Sequence, residues 1–368
     1  MTTTPSATGP LAGIRVIEFA GIGPGPFACM LLSDLGAEVI RVDRPGARLG
    51  DPKDIIGRGR QTVLLDLKNP ADVAQVMDLL AQADVLVEGF RPGVMERLGL
   101  GPDAVAERNP RLVYGRMTGW GQDGPLAQAA GHDINYISIA GALAAIGEAG
   151  RAPVPPLNLV GDYGGGSLYL VVGILSAVIE AKRSGRGQVV DAAICDGVVS
   201  LMSLFQVQAL RGTHTEQRGS NMLDGGAPYY RVYETADGGF VSLGPIEPKF
   251  FELLCEKVGL PEHLRQAQND RARWPEMAEA FAGIFRTRTR AQWCELLEGT
   301  DACFSPVLPL SEAAQHPHLQ ARGAFVPVDG VVHTAPAPRL SRTPARIQGP
   351  APKAAVAVAD LLARWQQG

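Results

Sequence analysis

Three polar interruptions in otherwise apolar sequence carry residue types suited to moving protons. The first is Gly131-His132-Asp133-Ile134-Asn135-Tyr136, which sets an imidazole beside a carboxylate and follows Ala129-Ala130. The second, NLVGDYGGG, carries Asp162, and the third, GPIEP, carries Glu247. An imidazole and carboxylates are the groups that take a proton from the carbon beside a carbonyl and return it. Each has a plain structural reading when taken alone: a lone His is usually a satisfied core residue, and Asp162 would serve as a helix N-cap. Three ionisable groups in three glycine- or proline-flanked loops make that coincidence harder to sustain.

The elements around them follow an alternating pattern. Ile14 to Ala20 reads as a strand, GIGPGP as a turn, Phe27 to Leu35 as a helix closed by Gly36, and Glu38 to Asp43 as the next strand. This βαβ unit predicts a Rossmann-like half. Its turn departs from GxGxxG, and Pro24 and Pro26 remove N–H groups that a pyrophosphate would use, so it reads as a tight turn. Strands at 62–67, 84–90 and 111–117 alternate with helices, one opened by Asn69-Pro70. Repetition of this kind argues for a parallel sheet covered by helices.

Later segments read differently. Tyr136 to Ile146 predicts one packed helix. Gly164 to Ser167 would start a helix running to Lys182, leaving Asp162 at or just before its N-terminus. Gly185 to Ile194 reads as a turn and strand, and Cys195 to Arg211 as one helix. Beyond it, strands at 229–234 and 240–243 form a hairpin, and helices follow at 248–258, 274–285 and 290–297, an α+β segment. The Pro/Ala-rich stretch near the end reads as an extended strap, and Val356 to Trp365 as a helix returning to the first domain. The expected division is a large domain over 1–200, a linker over 201–225, a small domain over 226–315 and a C-terminal strap and helix over 316–368.

Composition bounds the function. The 368 residues are 46% hydrophobic and 20% charged, the balance of a globular protein of two domains. A net charge of −4 and no basic tract argue against nucleic acid. Arg44, Lys68, Arg91 and Arg97 nevertheless fall at or beyond strand ends, the rim where open α/β sheets bind ligands, and together would suit a polyphosphate such as coenzyme A. Five scattered cysteines without CxxC read as buried free thiols in a reducing cytosol, and no metal site is expected. The longest apolar run, Leu168 to Ile179, is too short to span a bilayer, so no membrane insertion is expected. The N-terminal segment lacks a signal-peptide core and reads as a loose tail, and a cytoplasmic location is the expectation.

With GIGPGPFACM, RVDRPG, LLDLK, RPGVMERLGLGP, RLVYGRMTGWGQ, AGHDINY, PLNLVGDYGGG, GRGQVVDA, NMLDGGAPYY, PIEP and TDACFSPVL in view, the sequence resembles the family III CoA transferases over nearly its whole length. Within them it resembles the α-methylacyl-CoA racemases, on GHDINY, NMLDGGAPYY and the Glu-Pro after the hairpin. The resemblance implies an α/β fold, with a Rossmann-like large domain and a smaller α+β domain in an interlocked homodimer. It implies His132 and Asp162 as acid/base residues, with Glu247 hydrogen-bonded to the imidazole. Arg44, Leu64, Leu65, Asp66, Leu67, Lys68, Glu88, Arg91 and Arg97 would line the CoA side, and Gly131, Asp133, Ile134, Asn135 and Tyr136 the thioester side. No cofactor is implied, because CoA is part of the acyl-CoA substrate. One departure is Pro245, where the family pattern leads us to expect Ala.

The implied reaction inverts the carbon beside a thioester carbonyl by two-base proton transfer through an enolate. Backbone N–H groups near Asp133 are candidates for holding the enolate oxygen. The alternative enzyme class is CoA transfer between carboxylates, with Asp162 as nucleophile. That mechanism leaves His132 and Glu247 little to do. A non-catalytic CoA-binding module is the third reading. Met117 and Met222 would suit an adaptable acyl surface, but the acyl chain itself has no signature in the sequence.

Overall fold

The computed structural model describes residues 8–367. The chain divides into two compact units. One comprises 1–140, 157–202 and 318–368, the other 141–156 and 203–317. Unlike the contiguous division expected from sequence, residues 141–156 group with the second unit. The expected linker begins with a helix, Ser203–Leu210, which lies within the helical span expected from sequence and groups with the second unit.

The first unit is built on a six-stranded sheet in the order β3-β2-β1-β4-β5-β6. The strands are β1 (Arg15–Phe19), β2 (Glu38–Asp43), β3 (Arg60–Leu64), β4 (Val85–Glu88), β5 (Val113–Thr118) and β6 (Val189–Ala193), all paired in parallel. Apolar runs such as Val85-Leu86-Val87 suit strands covered on both faces, and all three are buried. Strand β3 ends at Leu64, so the strand expected over 62–67 gives way to a turn. Asp66 starts that turn by accepting the Lys68 N–H at 3.0 Å. Asn69 caps the Pro70–Leu80 helix through the Ala71 N–H at 3.0 Å. Its buried Val76, Leu79 and Leu80 join Ile17, Ile40 and Leu86 in one core. The C-terminal helix, Val358–Gln367, adds Val358, Leu361 and Trp365 to it. The Trp365 indole N–H donates to Glu38 at 2.8 Å.

Several expected helices are interrupted. Asp133–Ile139 and Ala142–Ala145 are separate, divided at Gly141, whose φ of 84° is outside helical range. Ile194–Leu201 and Ser203–Leu210 are likewise separate. Asp162 lies at a helical N-terminus, in a segment that begins before the expected Gly164 start. It lies inside a π-helical turn, Leu159–Ser167, which runs directly into the helix Leu168–Ser184. That continuous stretch of 26 residues is apolar enough by length and composition to cross a membrane, unlike the shorter run counted from sequence. Half of that apolar window is buried within the protein. Leu170, Ile174, Ala177 and Ala181 form the buried stripe. Gly115 in β5 admits it, since a Cβ there would come within 3.2 Å of Leu170 and 3.3 Å of Ile174.

The second unit has a three-stranded antiparallel sheet, β7 (Arg231–Glu234), β8 (Phe240–Leu243) and β9 (Phe304–Val307). The helices Pro248–Val258, Trp274–Phe285 and Arg290–Leu297 pack an aromatic core of Tyr229, Phe251, Phe281, Phe285 and Trp293. The NMLDGG motif is a self-bonded loop. Asp224 accepts from the backbone N–H groups of Gly219, Asn221 and Gly226. Residues 325–334, before the strap, form a hairpin of β10 (Phe325–Val328) and β11 (Val331–Thr334). The cysteines are all free, but only Cys29 and Cys255 are buried, and Cys303 is exposed at φ 48°.

A buried ion pair ties the glycine turn to the sheet. Arg60 on β3 meets Glu18 on β1 at 2.6 Å, both side chains 1% exposed. The same guanidinium donates to the carbonyls of Pro26 and Ile56. Burial disfavours the charged guanidinium, but the Glu18 carboxylate outweighs it and Arg60 holds its proton more tightly than usual. Arg60→Leu should therefore leave Glu18 buried and unpaired. It should lower stability by about 3–5 kcal/mol, read as a lower denaturant midpoint at unchanged m. Glu18→Leu in the same chain should recover most of that loss.

Candidate active site

The strand order places a topological switch between β1 and β4, where connections leave in opposite directions and a crevice opens at the carboxyl ends. A cavity of about 490 Å³ occupies that position. Its walls are the segments after β1 (Ala20 to Pro26), after β4 (Gly89 to Pro92) and after β5 (Gly119-Trp120), with Gly131, His132, Tyr136 and Asp162. His132 and Asp162, thirty residues apart in sequence, thus face one space.

His132 is exposed and sits at the N-cap of the Asp133–Ile139 helix. Its N–H donates to the Asn135 side chain at 3.0 Å, and its carbonyl accepts the Asn135 N–H at 2.8 Å. Reciprocal bonds of this type fix where a helix begins. Tyr136 then locks the loop from below. Its hydroxyl donates to the Gly131 carbonyl, and its ring meets Trp120 edge-on at 4.7 Å. Gly119 and Gly131 make room for that ring, since a Cβ would fall 2.0 Å and 2.8 Å from it. Ile134 is partly exposed beside them.

Asp162 is half-buried in the π-helical turn. Burial raises its carboxyl above the ordinary value. The Asn158 amide, 3.4 Å away, opposes the shift, Asp133 adds to it and His132 opposes it. Its backbone N–H donates to Asp133 at 2.6 Å. Gly23 of the first turn comes close, for a Cβ there would lie 3.1 Å from Asp162 Oδ2. Asn158, Gly23 and Trp120 were not singled out from sequence as site residues. The signals were the glycine- and proline-rich turn GIGPGP and the segment NLVGD, which sets Asp162 beside a glycine.

The expected CoA residues divide into two groups. Arg44 and Lys68 are exposed just beyond β2 and β3, and Arg91 follows β4 and lines the cavity. Arg97 is exposed at the end of a short helix, its guanidinium over Gly93. Leu64 is half-buried, and Leu65 and Leu67 pack into the core beneath this rim. Glu88 touches the cavity wall but is 1% exposed, and both its oxygens are engaged. One pairs with Arg116 at 3.0 Å and the other accepts the Phe90 N–H at 2.7 Å. Its position suits shaping the loop that carries Arg91, and burial raises its carboxyl.

Glu247 belongs to the second unit, exposed at the N-cap of the Pro248–Val258 helix. Pro245, the departure noted in the sequence, is buried, and its carbonyl accepts the Gln268 amide at 3.2 Å. The missing N–H there leaves the following turn closed, since Ile246 N–H donates to Gly244 at 2.9 Å.

Residues 11–355 match the model of CoA-transferase family III. The chain belongs to this family. It is 46% identical over 337 residues to the alpha-methylacyl-CoA racemases of Mus musculus and of Homo sapiens, covering 91% of this chain and 87% of each relative. Among solved structures, a CAIB/BAIF family protein from Brucella suis is similar with a TM-score of 0.80 at 26% identity, covering 97% of this chain and 100% of that one.

Asp162 carries a stability consequence. Its folded-state pKa lies above the unfolded value. Between the two the folded chain holds the extra proton, so stability falls as pH rises through that window. At neutral pH the ionised carboxylate is a net cost. Asp162→Asn should raise the neutral-pH melting temperature, and the gain should shrink as pH falls toward the ordinary Asp value of about 3.9. Thermal denaturation of both proteins across pH checks this.

Proposed function

We propose that this chain is an α-methylacyl-CoA racemase, inverting the α-carbon of 2-methyl-branched acyl-CoA thioesters. The observation that carries the reading is the sharing of one cavity by His132 and Asp162, with Asp162 shifted toward holding its proton. The 46% identity to relatives of that name supports it over most of the chain.

Racemisation removes a proton from one face of the α-carbon and returns one to the other. Two groups are needed, each able to act as base in one direction and acid in the other. An ordinary carboxyl and an ordinary imidazole differ by about 2.6 pKa units, and burial of Asp162 narrows that difference. In the forward direction one group takes the α-proton while the other, protonated, delivers its own to the opposite face. Electrons from the C–H bond move into the carbonyl to form the enolate. The first N–H groups of the Asp133–Ile139 helix suit its oxygen, since unpaired helix N-terminal donors favour negative charge. Arg44, Lys68 and Arg91 suit the phosphates of CoA, where charge-assisted bonds position without reacting.

A homodimer accompanies this reading. Leu168, Val172 and Ile179 form an exposed apolar row on the face of their helix opposite its buried stripe. Exposed apolar rows of this extent suit a second protein surface.

The reaction is tested with a single epimer of 2-methylacyl-CoA in heavy water without any carboxylate acceptor. Uptake of α-deuterium with inversion is the expected result. Strict dependence on an acceptor carboxylate, with no α-exchange, would place the chain among CoA transferases with Asp162 as nucleophile.

A further inference from the structure

Asp133 follows His132 in the chain, yet the two are placed differently. His132 is exposed and lines the cavity, whereas Asp133 is 8% exposed and is not part of its wall. One carboxylate oxygen accepts the Asp162 N–H at 2.6 Å. The other is buried without a hydrogen-bond partner. A buried carboxylate used at only one oxygen costs free energy, and such a group calls for an explanation. The chain also makes room for it. Gly161, immediately before Asp162, could not carry a side chain there, because its Cβ would lie 2.2 Å from Asp133 Oδ2. A π-helical turn leaves part of its backbone outside the regular ladder, so an external acceptor at the Asp162 amide selects one arrangement of that turn.

We propose that Asp133 is a positioning residue for the reaction: its buried carboxylate clamps the Asp162 amide and fixes the π-helical turn that presents the Asp162 carboxyl to the substrate. This rests on the reading of Asp162 as one of the two bases. The clamp has an electrostatic side as well. The ionisable groups facing Asp162 are Asp133 and His132 on the neighbouring helix and loop, and Tyr136 one turn further on. The turn after β1 contributes only glycine, proline and Ile22. Burial does most to hold the proton on Asp162, and the Asp133 charge acts in the same direction. Asp133 thereby favours a stronger base as well as a fixed one.

The test measures α-deuterium uptake from each epimer separately, with kcat and KM, for wild type, Asp133→Ala, Asp133→Asn and Gly161→Ala. Asp162→Ala first identifies the epimer that depends on Asp162. Asp133→Ala should slow exchange from that epimer by roughly 10- to 100-fold, the scale of a misplaced catalytic group. KM should stay within about twofold and the other epimer should lose less, as expected when one positioned base is affected. Asp133→Asn keeps an oxygen acceptor for the amide and should restore most of the rate. Its acid limb in kcat/KM should move to lower pH, because no neighbouring charge then opposes ionisation of Asp162. Gly161→Ala should reproduce the Asp133→Ala pattern and add little to it in the double variant. Equal losses from both epimers that Asp133→Asn does not restore, or no loss in Asp133→Ala, would overturn the proposal. Fully additive losses in the double variant would do the same. If Asp162→Ala exchanges both epimers as well as wild type does, Asp162 is not a base. That result removes the underlying reading, whatever the Asp133 variants show.

Discussion

Two backbones touch at the centre of the first unit, and the site depends on that contact. A Cβ on Gly197 would lie 1.9 Å from the Gly165 carbonyl oxygen, and one on Gly165 would lie 2.6 Å from Val198. Only glycine allows the Leu159–Ser167 turn to press this closely on the Ile194–Leu201 helix. Gly166 extends the contact toward Pro24 and Met117, within 3.3 and 3.4 Å of an added Cβ. Ser167 closes it by donating to the Pro24 carbonyl at 2.7 Å. The run Gly164-Gly165-Gly166-Ser167 is therefore a packing surface. Because it is seated so firmly, Asp162 can be held at the cavity without a side-chain ion pair that would consume its reactivity.

The sheet supplies the rest of the frame. Parallel strands bring the segments after β1, β4 and β5 to one edge, and the break in strand order opens the crevice between them. The cavity walls come mainly from segments beyond the strand ends, while Glu18–Arg60 and Glu88–Arg116 hold their charges inside the sheet. The arginines of this chain thus divide by depth. Buried ones hold strands and loops together, and exposed ones on the same rim suit an anionic ligand despite the net charge of −4. Removing one partner of such a buried pair leaves an uncompensated charge in the sheet.

Much of this was legible in the sequence because local and global preferences agree. The helices Pro248–Val258, Trp274–Phe285 and Arg290–Leu297 were readable to their end residues, since Pro, Gly and capping side chains mark their limits. His132 and Asp162 stood out because ionisable residues interrupt apolar, glycine-rich runs. What stayed hidden depends on tertiary contact. A π-helical turn has no composition signal distinct from an α-helix, so the helix was expected to start at Gly164, whereas the helical stretch starts at Leu159 and holds Asp162 in its first turn. The GIGPGP turn looked ordinary because its prolines spoil a pyrophosphate site, yet its Gly23 abuts Asp162. Asp133 was expected at the thioester, and only the fold shows its carboxylate turned to a backbone amide. Cys303 looked like a buried thiol from its apolar neighbours, and is exposed.

The central claim is that His132 and Asp162 serve opposite faces of one α-carbon. It is tested most directly by incubating His132→Ala and Asp162→Ala with separate R and S acyl-CoA substrates in heavy water, reading deuterium and chirality at early times. Inversion should fall by roughly 10²–10⁴-fold in both, the range for one positioned acid/base. Each variant should still wash the α-hydrogen out of one epimer, and the two variants should retain opposite epimers. Equal loss of exchange from both epimers in both variants would contradict the account and point to a single base with the enolate turning over in the site.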